Sequence, residues 1–264
     1  MPTFNQQTAL VTGAASGIGY ELAKLFAQDH VNLVLVARRQ QQLDAVKADF
    51  ERQYGIQVTC LAADLGVAGQ AAAVYQQCQD QGLVLDYLVN NAGFGSYQDV
   101  VQGTAQNYEE MLTLNVLALT TLTALAAKEM VARGRGRLLN VGSTSAFQPV
   151  PHMAVYGASK SYIMHFTEAL HAELRGTGVT ATVLSPGVTA TGFLDRAAMG
   201  NWSQAQGKLL TPAAVAQAGY RAMQRGQLNV VPGLKNKLLA FGISLVPFQG
   251  LKLAMSALFM REKK

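Results

Sequence analysis

Thr8-Ala9-Leu10-Val11-Thr12-Gly13-Ala14-Ala15-Ser16-Gly17-Ile18-Gly19 is the stretch in which the fold is decided. A short run of apolar and β-branched residues, 8–11, leads straight into three glycines, and an apolar helical period follows over 18–28. A continuous rather than alternating strand is one buried on both faces. Glycines permit a tight turn and let an anion approach the backbone, while unpaired N–H groups at the start of the helix stabilise its charge. The G-x3-G-x-G spacing alone is a weak signal, because a glycine-lined helix entry with no ligand reads the same way. Position strengthens it: strand before, helix after, first in the chain.

Working outward, short apolar runs of the same character recur at 31–37, 57–63, 86–90, 137–141, 179–184 and 228–231, separated by periodic stretches such as 40–54, 108–132 and 154–175. Strands that alternate with crossover-length helices predict an α/β fold, a doubly wound, mostly parallel sheet of seven strands with helices on both faces. No repeat, low-complexity tract or Pro/Ser-rich linker divides the chain. We expect one catalytic domain over 1–233 and a C-terminal extension over 234–264.

With 264 residues, half of them hydrophobic and only 14% charged, the chain has ample material for a core. The formal charge of +5 is unevenly placed. Lys235, Lys237, Lys252, Arg261, Lys263 and Lys264 face Glu262 alone, which leaves 15 residues of each sign in the rest of the chain. A neutral body has no polyanion-binding field, so nucleic acid is not an expected partner. Cys60 and Cys78 are the only cysteines and form no CxxC or Cys/His cluster, so neither a disulfide framework nor a metal site is expected. With no basic-then-apolar leader at residues 1–7, the expected location is cytoplasmic.

The second strand ends in Ala37-Arg38-Arg39, about 25 residues after Gly13, where dinucleotide folds read the adenosine ribose. An acid there would hold the 2′-hydroxyl, and none is present. Arg38, with Arg39, can pair a 2′-phosphate instead, and Ser16 can add a hydroxyl, so NADP(H) is preferred with NAD(H) left open. Two solvated arginines opening a helix remain the plainer alternative. Farther on, Tyr156 and Lys160 stand four apart and share a helix face. An adjacent ammonium would lower a phenol's pKa into acid/base range. Ser143 lies thirteen residues before Tyr156, and Asn115 sits in the preceding long helical stretch.

These elements together make the chain resemble the short-chain dehydrogenase/reductase family, Rossmann-type oxidoreductases, over roughly residues 6–232. The matching residues are Thr12-Gly13-x3-Gly17-x-Gly19, Asp64-Leu65, Asn90-Asn91-Ala92-Gly93, Asn115, Ser143, Tyr156-x3-Lys160 and Pro186-Gly187-x3-Thr191. The resemblance implies that Tyr156 is the general acid or base, that Lys160 lowers its pKa and holds the nicotinamide ribose, and that Ser143 binds the substrate oxygen. It also implies that Asn115 supports a proton-relaying water. Asp64 and Leu65 would contact adenine, and Asn91, Ala92 and Gly93 the adenosine side. Ile18 belongs to the phosphate turn, Pro186 and Gly187 to the cofactor-binding set, and Val188, Thr189 and Thr191 would meet the carboxamide. It further implies a homodimer or homotetramer paired through the long helices.

Substrate choice would fall to the loops at the strand ends. Phe94, Phe147, Met153, Phe193, Met199 and Trp202 are mostly apolar candidates, with 192–210 as a mobile substrate loop, so a hydrophobic ketone, aldehyde, 3-oxoacyl compound or alcohol is the expected small-molecule substrate. His152 lacks an acidic partner in sequence and reads as a rim residue. A dinucleotide-sensing protein and a same-fold epimerase remain alternatives. In the extension, apolar arms at 238–246 and 251–260 are interrupted by Pro247 and Gly250 and are too short to span a bilayer. Leu251, Ala254, Met255 and Leu258 share a helical face opposite Lys252 and Ser256. That face can close the pocket, pair subunits or lie on a membrane surface.

Overall fold

A computed structural model describes residues 7–199 and 209–260. Every position of β1 (Thr8–Thr12) is buried, as a central parallel strand requires. It lies between β2 (Asn32–Ala37) and β4 (Tyr87–Asn90), with Val11 level with both Leu35 and Val89. β3 (Val58–Ala62), β5 (Gly136–Val141), β6 (Val179–Leu184) and β7 (Asn229–Val230) complete a seven-stranded parallel sheet in the order β3-β2-β1-β4-β5-β6-β7. The winding reverses between β1 and β4. The carboxyl ends of those two strands therefore diverge into a crevice, the place where such sheets bind ligands.

One face is covered by α1 (Gly17–Gln28), α2 (Gln40–Tyr54) and α8 (Pro212–Gln224), whose Leu22, Phe26, Phe50, Val215 and Tyr220 pack on Val11, Leu35 and Val89. The other face is covered by α3 (Gln70–Asp80) and α5 (Leu119–Arg133), through Val74, Leu122 and Met130. The periodic stretches recognised above do not include α3 and α8. Both are rich in Ala and Gln, short side chains and amides that mark no strongly apolar stripe in the sequence. Stops are local: α2 ends at Gly55 and α5 at Gly134, both left-handed, and α8 starts with the Thr211 hydroxyl accepting from the Ala214 N–H.

The helical stretch expected at 108–132 runs as α4 (Ala105–Leu112), a π-helical turn (Thr113–Ala118) and α5. Among the described residues, Ala105–Arg133 is the one helix long and apolar enough to cross a membrane by length and composition. Here its buried side, with Leu119, Leu122, Ala126 and Met130, lies on the sheet. α6 (Ala154–Glu173) packs beside it, and the short α7 (Phe193–Arg196) lies within the connection that follows β6. The extension forms α9 (Leu234–Ser244) and α10 (Gln249–Met260). The face of α10 sorts as the sequence implies but is turned away from the body. Ser256 is fully buried and donates to the Pro149 carbonyl, while Leu251, Met255 and Leu258 are exposed.

Candidate active site

A single cavity of about 1110 Å³ runs from the end of β2 across the β1/β4 crevice to α9 and α10. At its floor the glycine turn is made by Gly13 (φ +65°) and Gly17 (φ +59°), a left-handed backbone that a side chain would strain. Gly19 is required for contact: an added Cβ would collide with Asn91 Nδ2 and with the Gly13 carbonyl. The turn is braced from β4. The Thr12 hydroxyl accepts from the Asn91 and Ala92 N–H groups, both at 3.0 Å, and Asn91 Nδ2 donates to the Thr12 carbonyl at 3.0 Å. Ser16 makes no capping bond, which leaves its hydroxyl facing the cavity beside the start of α1.

Asn90 is internal. Its amide donates to Asn140 Oδ1 and Thr123 Oγ1, both at 2.9 Å, and Asn140 passes the chain to Thr167 at 3.0 Å, tying β4, β5, α5 and α6 together behind the site. Asn115 performs a similar task at the π-helical turn. Its Oδ1 accepts from the Phe94 N–H at 3.1 Å, and its Nδ2 donates to the Phe94 carbonyl at 2.9 Å and to Ser159 Oγ at 3.1 Å. The expected water-supporting residue thus spends its amide holding the 93–94 backbone, and Ser159 in turn donates to the Tyr156 carbonyl at 2.7 Å.

Tyr156 and Lys160 face the cavity together, with Nζ 5.6 Å from the ring centroid. Ser143 begins the turn after β5 and stands close enough to the Tyr156 hydroxyl to lower its pKa, and its Oγ accepts from the Ser145 N–H at 3.1 Å. Ser143 is therefore the hydroxyl in play among Ser143, Thr144 and Ser145. Burial dominates both ionisable groups. Tyr156 is pushed up to about 12 by burial, against the lowering effect of Ser143, and Lys160 is held down to about 8 by burial. The ammonium effect expected from the four-residue spacing does not prevail among the chain's own groups, because Nζ is turned into a 2.9 Å hydrogen bond with the Val141 carbonyl.

The cavity wall includes Gly13, Ser16, Gly17, Ile18, Arg38, Arg39, Asp64, Leu65, Asn91, Ala92 and Gly93 at the β1–β4 end. Pro186, Gly187, Val188, Thr189 and Thr191 follow after β6. Among the described residues Arg38 and Arg39 enter no ion pair. Asp64 accepts from the Gly66 N–H at 2.9 Å, a tight local turn that leaves it on the wall. Of the apolar candidates, Phe94, Met153, Phe193 and Met199 line the inner end. Phe147 does not: the 3-10 turn at Thr144–Phe147 carries it past the cavity. Trp202 and residues 200–208 of the substrate loop lie outside the described residues. The described start of that loop is packed down, with Ala197 and Met199 buried and the Ala197 carbonyl accepting from the Tyr97 N–H at 2.9 Å.

Several residues at the site were not singled out individually by the sequence. Arg196 lays its guanidinium 4.1 Å from the Phe94 ring centroid, and its pKa is lowered first by burial and then by Arg38, with Asp64 and Glu110 opposing. Gly95 leaves room where a Cβ would stand 3.0 Å from Met153, Tyr156 and Phe193. Asn236, Ile243, Met255 and Met260 bring α9 and α10 into the wall, and Tyr97 fastens α10 by donating to the Met260 carbonyl at 2.7 Å. His152 does have an acidic partner, Asp99 at 2.7 Å, at the outer rim.

The short chain dehydrogenase sequence profile matches residues 7–201, a span that contains the turn, the Asn90–Gly93 segment and the Ser/Tyr/Lys group. The chain belongs to the short chain dehydrogenase family. It is an oxidoreductase of that family, with an NAD(P)-binding Rossmann-type fold. The chain is 33% identical over 241 residues to the ketoacyl reductase HetN of Nostoc, covering 88% of this chain and 80% of that one. It is 31% identical over 189 residues to a very-long-chain 3-oxoacyl-CoA reductase of Anas platyrhynchos, covering 69% of this chain and 60% of that longer protein. Among solved structures, a short-chain dehydrogenase from Sphingobium yanoikuyae in complex with NADPH superposes with a TM-score of 0.82 at 31% identity, covering 95% of each chain.

Proposed function

We propose that this dehydrogenase uses NADP(H) to reduce a hydrophobic ketone or 3-oxoacyl compound, or to oxidise the matching alcohol. The observation that carries this reading is one continuous cavity with a glycine-cradled, arginine-ended half and an apolar half, joined at Tyr156, Ser143 and Lys160. At about 1110 Å³ it exceeds the usual single-ligand pocket of about 300–1000 Å³, which suits a dinucleotide together with a medium or large substrate. Gly13, Gly17 and Gly19 leave space that any Cβ would take, and the start of α1 presents N–H groups there, so the residues fit a pyrophosphate. Arg38 at the end of β2, with no acid beside it, favours a 2′-phosphate, and Arg39 and Ser16 border the same end.

The bound nicotinamide supplies or accepts the hydride. The chain's own residues handle the proton and the oxygen. Tyr156 stays protonated well above neutral pH and donates its proton to the carbonyl oxygen during reduction, while the Ser143 hydroxyl donates a hydrogen bond to the same oxygen. Lys160 holds the ribose hydroxyls, and its charge stabilises the phenolate left behind. Asn115 and Ser159 position this group through Phe94 and the Tyr156 carbonyl. Phe94, Met153, Phe193 and Met199 exclude water around the reacting carbon. The outward Leu117 of the π-helical turn, Val131 of α5 and Tyr162 of α6 favour a homo-oligomer paired through these helices, to be read by light scattering.

The test is a panel of bulky ketones and 3-oxoacyl thioesters, followed by nucleotide oxidation with NADPH and NADH in parallel, with Tyr156→Phe as control. Stoichiometric NADPH consumption that falls at least about a hundredfold in the variant, with cofactor binding retained, is expected. Turnover unchanged in Tyr156→Phe refutes the mechanism. A product formed without net nucleotide consumption favours an epimerase.

A further inference from the structure

The inner sides of α9 and α10 wall the cavity, and their outer sides are bare. On α9, Ala240 is buried and Asn236 and Ile243 line the cavity. Leu234, Leu238, Phe241 and Leu245 fall within an arc of about 60° of the helix; Leu234 and Leu238 reach the cavity rim, and Phe241 and Leu245 lie clear of it. The four are 73%, 61%, 64% and 65% exposed. Phe248 and, on α10, Leu251 and Leu258 continue the exposed apolar surface, with Met255 at its edge on the cavity rim. Monomeric proteins rarely leave a contiguous apolar surface of this kind in water.

Charge says what covers it. Lys235 and Lys237 flank the α9 stripe, both exposed, Lys235 at the cavity rim and Lys237 clear of it, where their stems can lie along apolar matter. Residues 234–260 contain no Asp or Glu, and the sequence continues with Arg261, Lys263 and Lys264 against Glu262. A two-fold contact with a second copy would set these lysines against their own counterparts with no acid in the segment to pair them. We propose that the outer face of α9 and α10 docks on an anionic lipid bilayer, lying in its interface. With 11 and 12 residues, neither helix reaches the ~20 needed to span the hydrocarbon core. Docked in this way, the cavity wall stands about one helix diameter, roughly 10 Å, from the acyl chains.

The purified full chain should sediment at low salt with vesicles of equimolar phosphatidylglycerol and phosphatidylcholine, and not with phosphatidylcholine alone. It should be released at 1 M salt, where the Debye length falls to about 3 Å. Lys237→Ala should weaken partitioning about fivefold, and the double variant Phe241→Asp, Leu245→Asp about a hundredfold or more. None of these three side chains lines the cavity, so turnover of a water-soluble ketone should be unchanged. Tyr156→Phe should bind vesicles as the wild type does, which separates docking from the reductase reading. Absence of sedimentation with anionic vesicles, equal sedimentation with phosphatidylcholine alone, or a lipid-free dimer that the double variant dissociates would each overturn the proposal.

Discussion

Replacing Lys160 by methionine should stabilise the fold at neutral pH while ending turnover. Lys160 is 5% exposed, and its amine is held down from 10.5 to about 8 by burial. At 1.36 kcal/mol per pKa unit, the fold disfavours the ammonium by about 3 kcal/mol. Methionine fills a similar volume without a charge but forfeits the bond to the Val141 carbonyl, worth about 1 kcal/mol. A net gain of about 2 kcal/mol is expected at pH 7. Between about pH 8 and 10.5 the folded lysine has shed its proton while the unfolded one still holds it, so wild-type stability rises with pH relative to the variant. The gain should shrink across that window and reverse sign above it. Urea unfolding of both proteins at pH 7 and pH 10 reads the difference directly, because every other titrating group is common to the pair. A variant that is less stable at pH 7, or a gap that does not change with pH, refutes the argument that Lys160 is a buried cation retained at a cost to stability.

Three further outcomes follow from the same geometry. Gly19→Ala should abolish dinucleotide binding by calorimetry and lower stability by about 1–3 kcal/mol, since its Cβ overlaps the Gly13 carbonyl. Arg38→Asp should lower the NADPH-to-NADH ratio of kcat/KM by about tenfold to a hundredfold, the worth of a charge-assisted hydrogen bond; an unchanged ratio moves selectivity to another residue. Asn115→Ala should cost about 2–4 kcal/mol in denaturant unfolding, because the buried Phe94 N–H and carbonyl lose their partner together.

The element order was legible because its signals are local. Seven continuous apolar runs and the glycine turn are confined to a few residues each, and every run falls on a strand of the sheet. The group Ser143, Tyr156 and Lys160 was legible because its spacing along the chain carries it. What escaped was non-local. Asn115 was placed in a regular helix, yet a π-helical turn aims its amide at Phe94, and only packing selects that turn over the ordinary one. Phe147 reads as a pocket residue because it is apolar and follows the end of β5, but a 3-10 turn carries it past the cavity. Arg196 and Gly95 reach the site through contacts with Phe94, Met153 and Tyr156 that leave no pattern in the chain.

The sequence by itself determined the doubly wound sheet, its glycine turn and the shared helix face of Tyr156 and Lys160, because backbone conformation at Gly13 and Gly17 and helical spacing at Tyr156 and Lys160 are properties of near neighbours. Only the tertiary structure decided the ionisation of that pair and the direction of the basic tail. Burial, which the chain acquires on folding, pushes Tyr156 up and Lys160 down against the expectation from spacing alone. An amphipathic helix specifies two faces but not which one turns inward. Here the bonds from Tyr97 to Met260 and from Ser256 to Pro149 settle that choice and leave the leucines facing out.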